Sequence, residues 1–171
     1  MADRYQKKNV FVTAAGAGFG YATAVGMARE GAASVCVVEK LADRLERVTR
    51  AIEEHGARAV PILADLGATE GCEGALAQAY DACGRLDVVV LNHAAMSWET
   101  PFLELTDEAW DKDLQVNLTS YFVLAQRAAR RMVEQGGGAI LMTSSVNSLG
   151  AGSGFAPYCV TKAGLVILAK V

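Results

Sequence analysis

The alternation of short β-branched apolar runs with longer stretches of helical periodicity constrains this chain more than any other feature. The runs at 9–14 (NVFVTA), 34–39 (SVCVVE), 58–64 (RAVPILA), 86–91 (LDVVVL) and 139–143 (AILMT) read as strands. Between them, 18–31, 42–55, 69–83 and 106–135 read as helices, and a last helix begins near Pro157 and is still running at Val171. The 42–55 stretch sets Leu45, Val48 and Ile52 on one stripe and pairs Asp43 with Arg47 and Glu46 with Arg50 at i,i+4. The helix expected over 106–135 opens on a Thr106-Asp107-Glu108 cap and stops at Gly136-Gly137-Gly138. Continuously apolar strands are buried on both faces, and with helices between them they imply a parallel sheet. The 171 residues, 52% of them hydrophobic, supply one core and are too few for two typical domains. The expectation is one α/β layered domain of five strands over 1–171.

Charge and composition exclude several function classes. A net charge of −3 gives no general attraction to nucleic acid or an anionic membrane, and the basic stretches 4–8 and 127–131 read as solvated faces. The chain has no 18-residue apolar run, and its first residues, MADRYQKK, lack the apolar core of a signal peptide. Cys36, Cys72, Cys83 and Cys159 form neither a CxxC pair nor a zinc-like spacing, so four reduced thiols in the cytoplasm and no metal are expected. The segment 163–171 (AGLVILAKV) is apolar, uncapped and followed by no strand. A doubly wound sheet ordinarily continues there, so the chain reads as cut short at its C-terminal end. Its fifth strand is then left with a free edge prone to aggregation.

Between the first strand and the first helix lies Thr13-Ala14-Ala15-Gly16-Ala17-Gly18-Phe19-Gly20. A strand feeding a glycine-rich turn into a helix N-terminus gathers backbone N–H groups and the positive end of the helix dipole, and glycine lets that backbone approach a pyrophosphate. The glycines fall at 16, 18 and 20, so the spaced GxGxxG fingerprint is absent, and tight helix–strand packing alone is the competing reading. Glu39, which closes the second strand, favours the nucleotide: a carboxylate there accepts both hydroxyls of an adenosine ribose and repels a 2′-phosphate. NAD is therefore expected over NADP, with Lys40 partly offsetting that repulsion.

Tyr158-Cys159-Val160-Thr161-Lys162 opens the last helix and puts its phenol and its amine on one face. Such pairs occur by chance; the context carries the weight. They follow a strand ending in Ser144-Ser145, which follows a helix carrying Asn117. With Thr13…Gly18-x-Gly20, Asp65 after the third strand, Asn92-His93-Ala94-Ala95 after the fourth, and Ser145 placed 13 residues before Tyr158, the whole chain resembles the short-chain dehydrogenase/reductase family. The resemblance implies a three-layer doubly wound parallel sheet of the Rossmann type, strand order 3-2-1-4-5, with the last strands missing. It also implies a catalytic set of Asn117, Ser145, Tyr158 and Lys162. The cofactor set it implies is Thr13, Ala15, Gly16, Gly18, Phe19, Gly20, Glu39, Asp65, Leu66, Asn92, Ala94, Tyr158 and Lys162. Two departures stand out. Ala14 occupies the position of the first motif glycine, whose freedom Gly16 is expected to supply, and His93-Ala94-Ala95 replaces Asn-Ala-Gly. His93 reads as structural rather than as a new proton-active group.

The implied activity is hydride transfer between NAD(H) and a secondary alcohol or ketone. A free phenol titrates near 10, too high for a base at neutral pH. An ammonium about 4 Å away stabilises a phenolate by about 4 kcal/mol at an effective dielectric of about 20, enough to bring it into range. By the same resemblance Ser145 holds the reacting oxygen, Asn117 holds a water that relays protons from Lys162, Asp65 meets the adenine together with the Leu66 backbone, and the protein is a homodimer or homotetramer. Trp98, Phe102 and Phe155 hint at an apolar or ring-bearing substrate, and core packing explains them equally well. The alternatives are an NADPH-dependent 3-oxoacyl-thioester ketoreductase and a truncated, non-catalytic dinucleotide-binding or dimerisation module.

Overall fold

The computed structural model describes residues 3–96 and 99–171; Trp98 lies outside them. Five strands, β1 (Asn9–Thr13), β2 (Ser34–Glu39), β3 (Arg58–Leu63), β4 (Val88–Leu91) and β5 (Ala139–Met142), form one parallel sheet in the order β3-β2-β1-β4-β5. The helices are α1 (Gly18–Arg29), α2 (Ala42–Glu53), α3 (Thr69–Cys83), α4 (Asp107–Leu114), α5 (Ser120–Glu134) and α6 (Ala156–Leu168).

Strand alternation divides the interior into two cores. Val10, Val12, Val35 and Val37 face Met27 of α1 and Val48 and Ile52 of α2. Phe11, Cys36 and Val38 face the other way, against Leu76 of α3, Tyr121 and Leu124 of α5 and Leu165 of α6. The same strands thus serve both layers, which is why they read as unbroken apolar runs. The outer strands β3 and β5 are more exposed, and Pro61 is tolerated in β3 because an edge strand has a side free of ladder partners. Among the described residues, no helix is long and apolar enough to cross a membrane.

Most element ends fall within one or two residues of the sequence expectation; three differences have a physical cause. The fourth strand begins at Val88 rather than Leu86, because Asp87 is used as an anchor. Its backbone bonds Asn9 and Ala139, and its carboxylate takes the Asn9 N–H at 2.9 Å and ion pairs from Lys8 and Arg85. The single helix expected over 106–135 is α4 and α5 joined by a π-helical turn, Gln115–Thr119. Beside that turn the Ser120 hydroxyl donates to Val116 O (2.6 Å), and the turn aims Asn117 inward. The last helix ends at Leu168 instead of running through Val171. The Thr106 cap is observed, its side chain accepting the Ala109 N–H.

Two glycines of α3 set up opposite outcomes. A Cβ on Gly71 would lie 2.0 Å from Asp65 O, whereas one on Gly74 meets nothing within 4 Å. Gly71→Ala should therefore destabilise the protein by about 1–3 kcal/mol through overpacking. Gly74→Ala should stabilise it by up to about 1 kcal/mol through helix propensity. Urea denaturation midpoints of the two variants check the opposite signs.

Candidate active site

A parallel sheet directs all its carboxyl ends to one edge, and the candidate site is built there. Ala15 N–H donates to Val38 O (3.2 Å) and draws the β1–α1 turn onto β2. The turn reverses at Ala14, with φ of +48°, and at Gly18, with φ of +52°. Here the structure corrects the sequence reading: Gly16 does not supply the missing freedom, and Ala14 itself adopts the left-handed conformation. Gly16 is required for space, since a Cβ there would sit 2.6 Å from both Glu39 Oε2 and Arg44 Cβ. At Gly20 a Cβ would fall 2.1 Å from Ala14 O, so α1 lies directly on the turn. The N-terminus of α1 has no side-chain cap. Uncapped N–H groups behind side-chain-free positions make a cradle that fits a pyrophosphate. Phe19, expected in the cofactor set, is 81% exposed.

Glu39 is buried at the end of β2. Its carboxylate accepts the N–H groups of Gly16 (3.1 Å), Lys40 (2.9 Å) and Leu41 (3.3 Å), tying the turn to the second strand. Arg47, expected to pair with Asp43, instead donates to Gly16 O and lies over the Tyr21 ring. The Glu46–Arg50 pair forms as expected. Glu39, Asp65, Leu66 and Ala94 line a cleft of about 490 Å³, with Lys40 and Lys112 also on its walls. The Asp65 carboxylate accepts the Gly67 N–H (2.8 Å) and shapes the turn after β3. The cleft thus brings together Glu39, Asp65, Leu66 and Ala94 of the cofactor set expected from the sequence.

Thr13, fully buried at the end of β1, is a junction. Its hydroxyl accepts the Asn92 N–H (2.8 Å) and meets His93 Nδ1 at 2.9 Å. His93 Nε2 lies 2.6 Å from Ser120 Oγ, whose own proton goes to Val116 O. This assigns the imidazole proton to Nε2 and makes Nδ1 the acceptor of the Thr13 proton. Burial, followed by the charge of Lys162, pulls the His93 pKa down to about 3. His93 is therefore a neutral strut between β1, β4 and α5 at neutral pH. Asn92 accepts a hydrogen bond from Thr143 Oγ1 (3.0 Å), joining the ends of β4 and β5.

Asn117, Ser145, Tyr158 and Lys162 do not line the 490 Å³ cleft; they gather past the ends of β4 and β5. Asn117 is fully buried, and its amide clamps the Ala95 backbone, accepting from Ala95 N (2.9 Å) and donating to Ala95 O (2.7 Å). Its side chain is thereby committed to holding the loop after β4. Ser144 donates to Lys162 O (2.8 Å) and is spent on packing α6, while Ser145 Oγ accepts the Asn147 N–H at 3.2 Å and, among the described residues, donates to no partner. Lys162 is 2% exposed; its ammonium donates to Thr143 O (2.7 Å) and lies 5.6 Å from the centre of the Tyr158 ring and 5.1 Å from that of Tyr121. Burial lowers its pKa to about 8. Phe102 is 72% exposed, whereas Phe155 is half-buried at the start of α6. Sequence reasoning missed Tyr121 and the Thr143 carbonyl. A backbone acceptor leaves no trace in residue identity, and Tyr121 reads only as one more apolar position of a helix.

The family profile for short chain dehydrogenase matches residues 8–171. The chain belongs to the short chain dehydrogenase family. Dehydrogenase/reductase SDR family member 4 of Oryctolagus cuniculus is 29% identical over 168 residues, spanning 98% of this chain and 64% of that one. A hydroxy(phenyl)methylsuccinyl-CoA dehydrogenase subunit, BbsD, of Thauera aromatica is 32% identical over 161 residues, spanning 94% and 64%. Among solved structures, a short-chain type dehydrogenase/reductase from Mycobacterium marinum superposes with a TM-score of 0.91 at 32% identity, covering 98% of this chain and 66% of that one. The chain thus spans somewhat less than two thirds of the length of the curated relatives it matches. Its five-stranded order is that of the family's sheet, and the family is one of oxidoreductases that use NAD(P).

The left-handed Ala14 yields a test. An L-residue with a Cβ in that conformation costs about 1–2 kcal/mol, partly offset by the greater unfolded-state entropy of glycine. Ala14→Gly should stabilise the protein by about 0.5–1 kcal/mol, read as a higher urea midpoint with an unchanged m-value.

Proposed function

We propose that this domain carries the catalytic half of an NAD-dependent dehydrogenase that interconverts a secondary alcohol and its ketone, with Tyr158 as acid and base. The observation that carries the reading is the buried Lys162 ammonium, packed on the Tyr158 ring and held by the carbonyl just before Ser144-Ser145. A lysine is rarely buried without function, because desolvation of the charge is costly. When bound, the nicotinamide supplies the hydride acceptor or donor for the carbinol carbon. The Gly16–Gly20 turn holds the pyrophosphate, Glu39 the adenosine ribose, and Asp65 and Leu66 the adenine.

The chain's own residues handle the oxygen. In alcohol oxidation the Tyr158 phenolate takes the hydroxyl proton, and in ketone reduction the phenol returns it. Lys162, itself only 2% exposed, stabilises the phenolate by Coulomb attraction, which strengthens as the charge is withdrawn from solvent. Ser145 keeps a donor proton and orients the reacting oxygen beside the phenol. The Asn117 amide, spent on Ala95, fixes the loop after β4 against which the substrate end of the site is built. The aromatic secondary alcohol named for the Thauera aromatica relative is in keeping with a ring-bearing substrate. The same reading makes the enzyme a cytoplasmic homodimer or homotetramer through α5 and α6, where Phe122, Val133 and Ile167 stand exposed.

Two experiments test it. Tyr158→Phe should lower kcat for oxidation of a secondary alcohol by about 10³-fold or more, while NAD affinity by calorimetry stays within about threefold; undiminished turnover removes Tyr158 from its role. Calorimetric Kd values should favour NAD over NADP by about tenfold or more, and Glu39→Ala should narrow that ratio. A preference for NADP would favour the thioester ketoreductase instead.

A further inference from the structure

The Lys162 ammonium is sandwiched, and its second wall belongs to no motif. Its Nζ lies 5.1 Å from the centre of the Tyr121 ring and 5.6 Å from that of Tyr158, and it donates a hydrogen bond to Thr143 O. Tyr121 is 0% exposed and has little freedom to turn away. Its hydroxyl donates to His93 O (2.7 Å), and its ring packs against the His93 imidazole, 4.4 Å between centres at a 32° tilt. His93 is in turn clamped through both nitrogens, to Thr13 of β1 and Ser120 of α5. A rigid path therefore runs from the end of β1, through an imidazole and a phenol ring, to the ammonium.

We propose that Tyr121, braced by His93, is a positioning residue that presents its π face to Lys162 and keeps the buried ammonium charged and directed at Tyr158. The proposal rests on the acid–base reading of Tyr158 and adds the part of the site that holds its lysine. An ammonium near an aromatic face is attracted by the ring quadrupole, and more strongly once desolvated. Lys162 needs that attraction: burial already draws its pKa down to about 8. The titratable groups around it are Tyr158 on its own helix, Tyr121 from α5 and His93 from the end of β4. The buried Asp113 comes from α4, which packs across α6. His93 adds no positive charge, because its own pKa is held near 3. Tyr121 stays a neutral phenol, since burial pushes its pKa up. Among the described residues, the ammonium meets the Thr143 carbonyl and the faces of the Tyr121 and Tyr158 rings.

The test compares Tyr121→Met, which fills much of the volume without a π face, with Tyr121→Phe, which keeps the face and loses only the hydroxyl; Tyr121→Leu serves if the Met variant fails to fold. The Lys162 midpoint, read from its side-chain ¹³Cε resonance, should fall by about one pH unit or more in Tyr121→Met and stay near the parent in Tyr121→Phe. In turnover, Tyr121→Met should lose about tenfold or more in kcat with little change in the KM for NAD, and its alkaline limb should move to lower pH. Tyr121→Phe should stay within about threefold of the parent with an unmoved limb. A Lys162 midpoint unchanged in Tyr121→Met, or a Tyr121→Phe variant as impaired as Tyr121→Met, overturns the proposal. The resonance titration needs no turnover. A fully active Tyr158→Phe enzyme would therefore sink the acid–base reading alone, whereas an unmoved lysine midpoint would sink the role of Tyr121 alone.

Discussion

Parallel pairing of β1 with both β2 and β4 is the constraint from which the rest of the site follows. It brings the ends of three strands to one edge, and residues far apart in the chain become hydrogen-bond partners. Thr13 closes β1 and takes the N–H of Asn92 from the end of β4, while Glu39 closes β2 and takes the N–H of Gly16 from the turn after β1. The strand ends are thus cross-linked by buried polar side chains that accept N–H groups from the segments following neighbouring strands. In a dry interior those bonds are strong, and losing one partner strands the other. The turn that would receive a pyrophosphate is therefore fixed by the sheet before any ligand arrives, which lowers the ordering cost of binding.

The second half of the site depends on a charge placed where charge is disfavoured. Lys162 is nearly inaccessible, and its surroundings show how that is tolerated. The end of β5 contributes a carbonyl, α6 the Tyr158 ring, α5 the Tyr121 ring, and the loop after β4 the imidazole behind it. The π-helical turn at Gln115–Thr119 is part of the same construction. It breaks the regular ladder so that Asn117 can turn inward to clamp Ala95, and Ser120 beside it donates to Val116 O while receiving His93. An uninterrupted α-helix over this stretch would present those side chains at other angles. A local irregularity in one helix thereby serves three residues at once.

Much of the fold was legible because its signals are local. β2 and α3 fall where the residue pattern puts them, and the strand order follows the resemblance carried by Thr13, the glycine turn and Tyr158-x-x-x-Lys162. The site residues could be proposed by type and spacing, but their geometry could not. Ser144 and Ser145 are chemically identical neighbours, and only the docking of α6 commits one hydroxyl to Lys162 O and leaves the other with its proton. Ala14 looked like a position relieved by Gly16, yet the turn reverses at the alanine, because Gly16 is hemmed in by Glu39 and Arg44.

What the sequence determined alone is whatever one segment can express: periodicity, the helix cap at Thr106, the glycine-rich turn after β1, and the i,i+4 placement of Tyr158 and Lys162. What tertiary structure decided is every property set by surroundings: the neutrality of His93, the depressed pKa of Lys162 and the second ring against its ammonium. The division has a plain physical origin. Backbone conformation answers to neighbours within a few residues, whereas desolvation and Coulomb interactions answer to whatever the fold brings within a few ångströms, however distant in the chain.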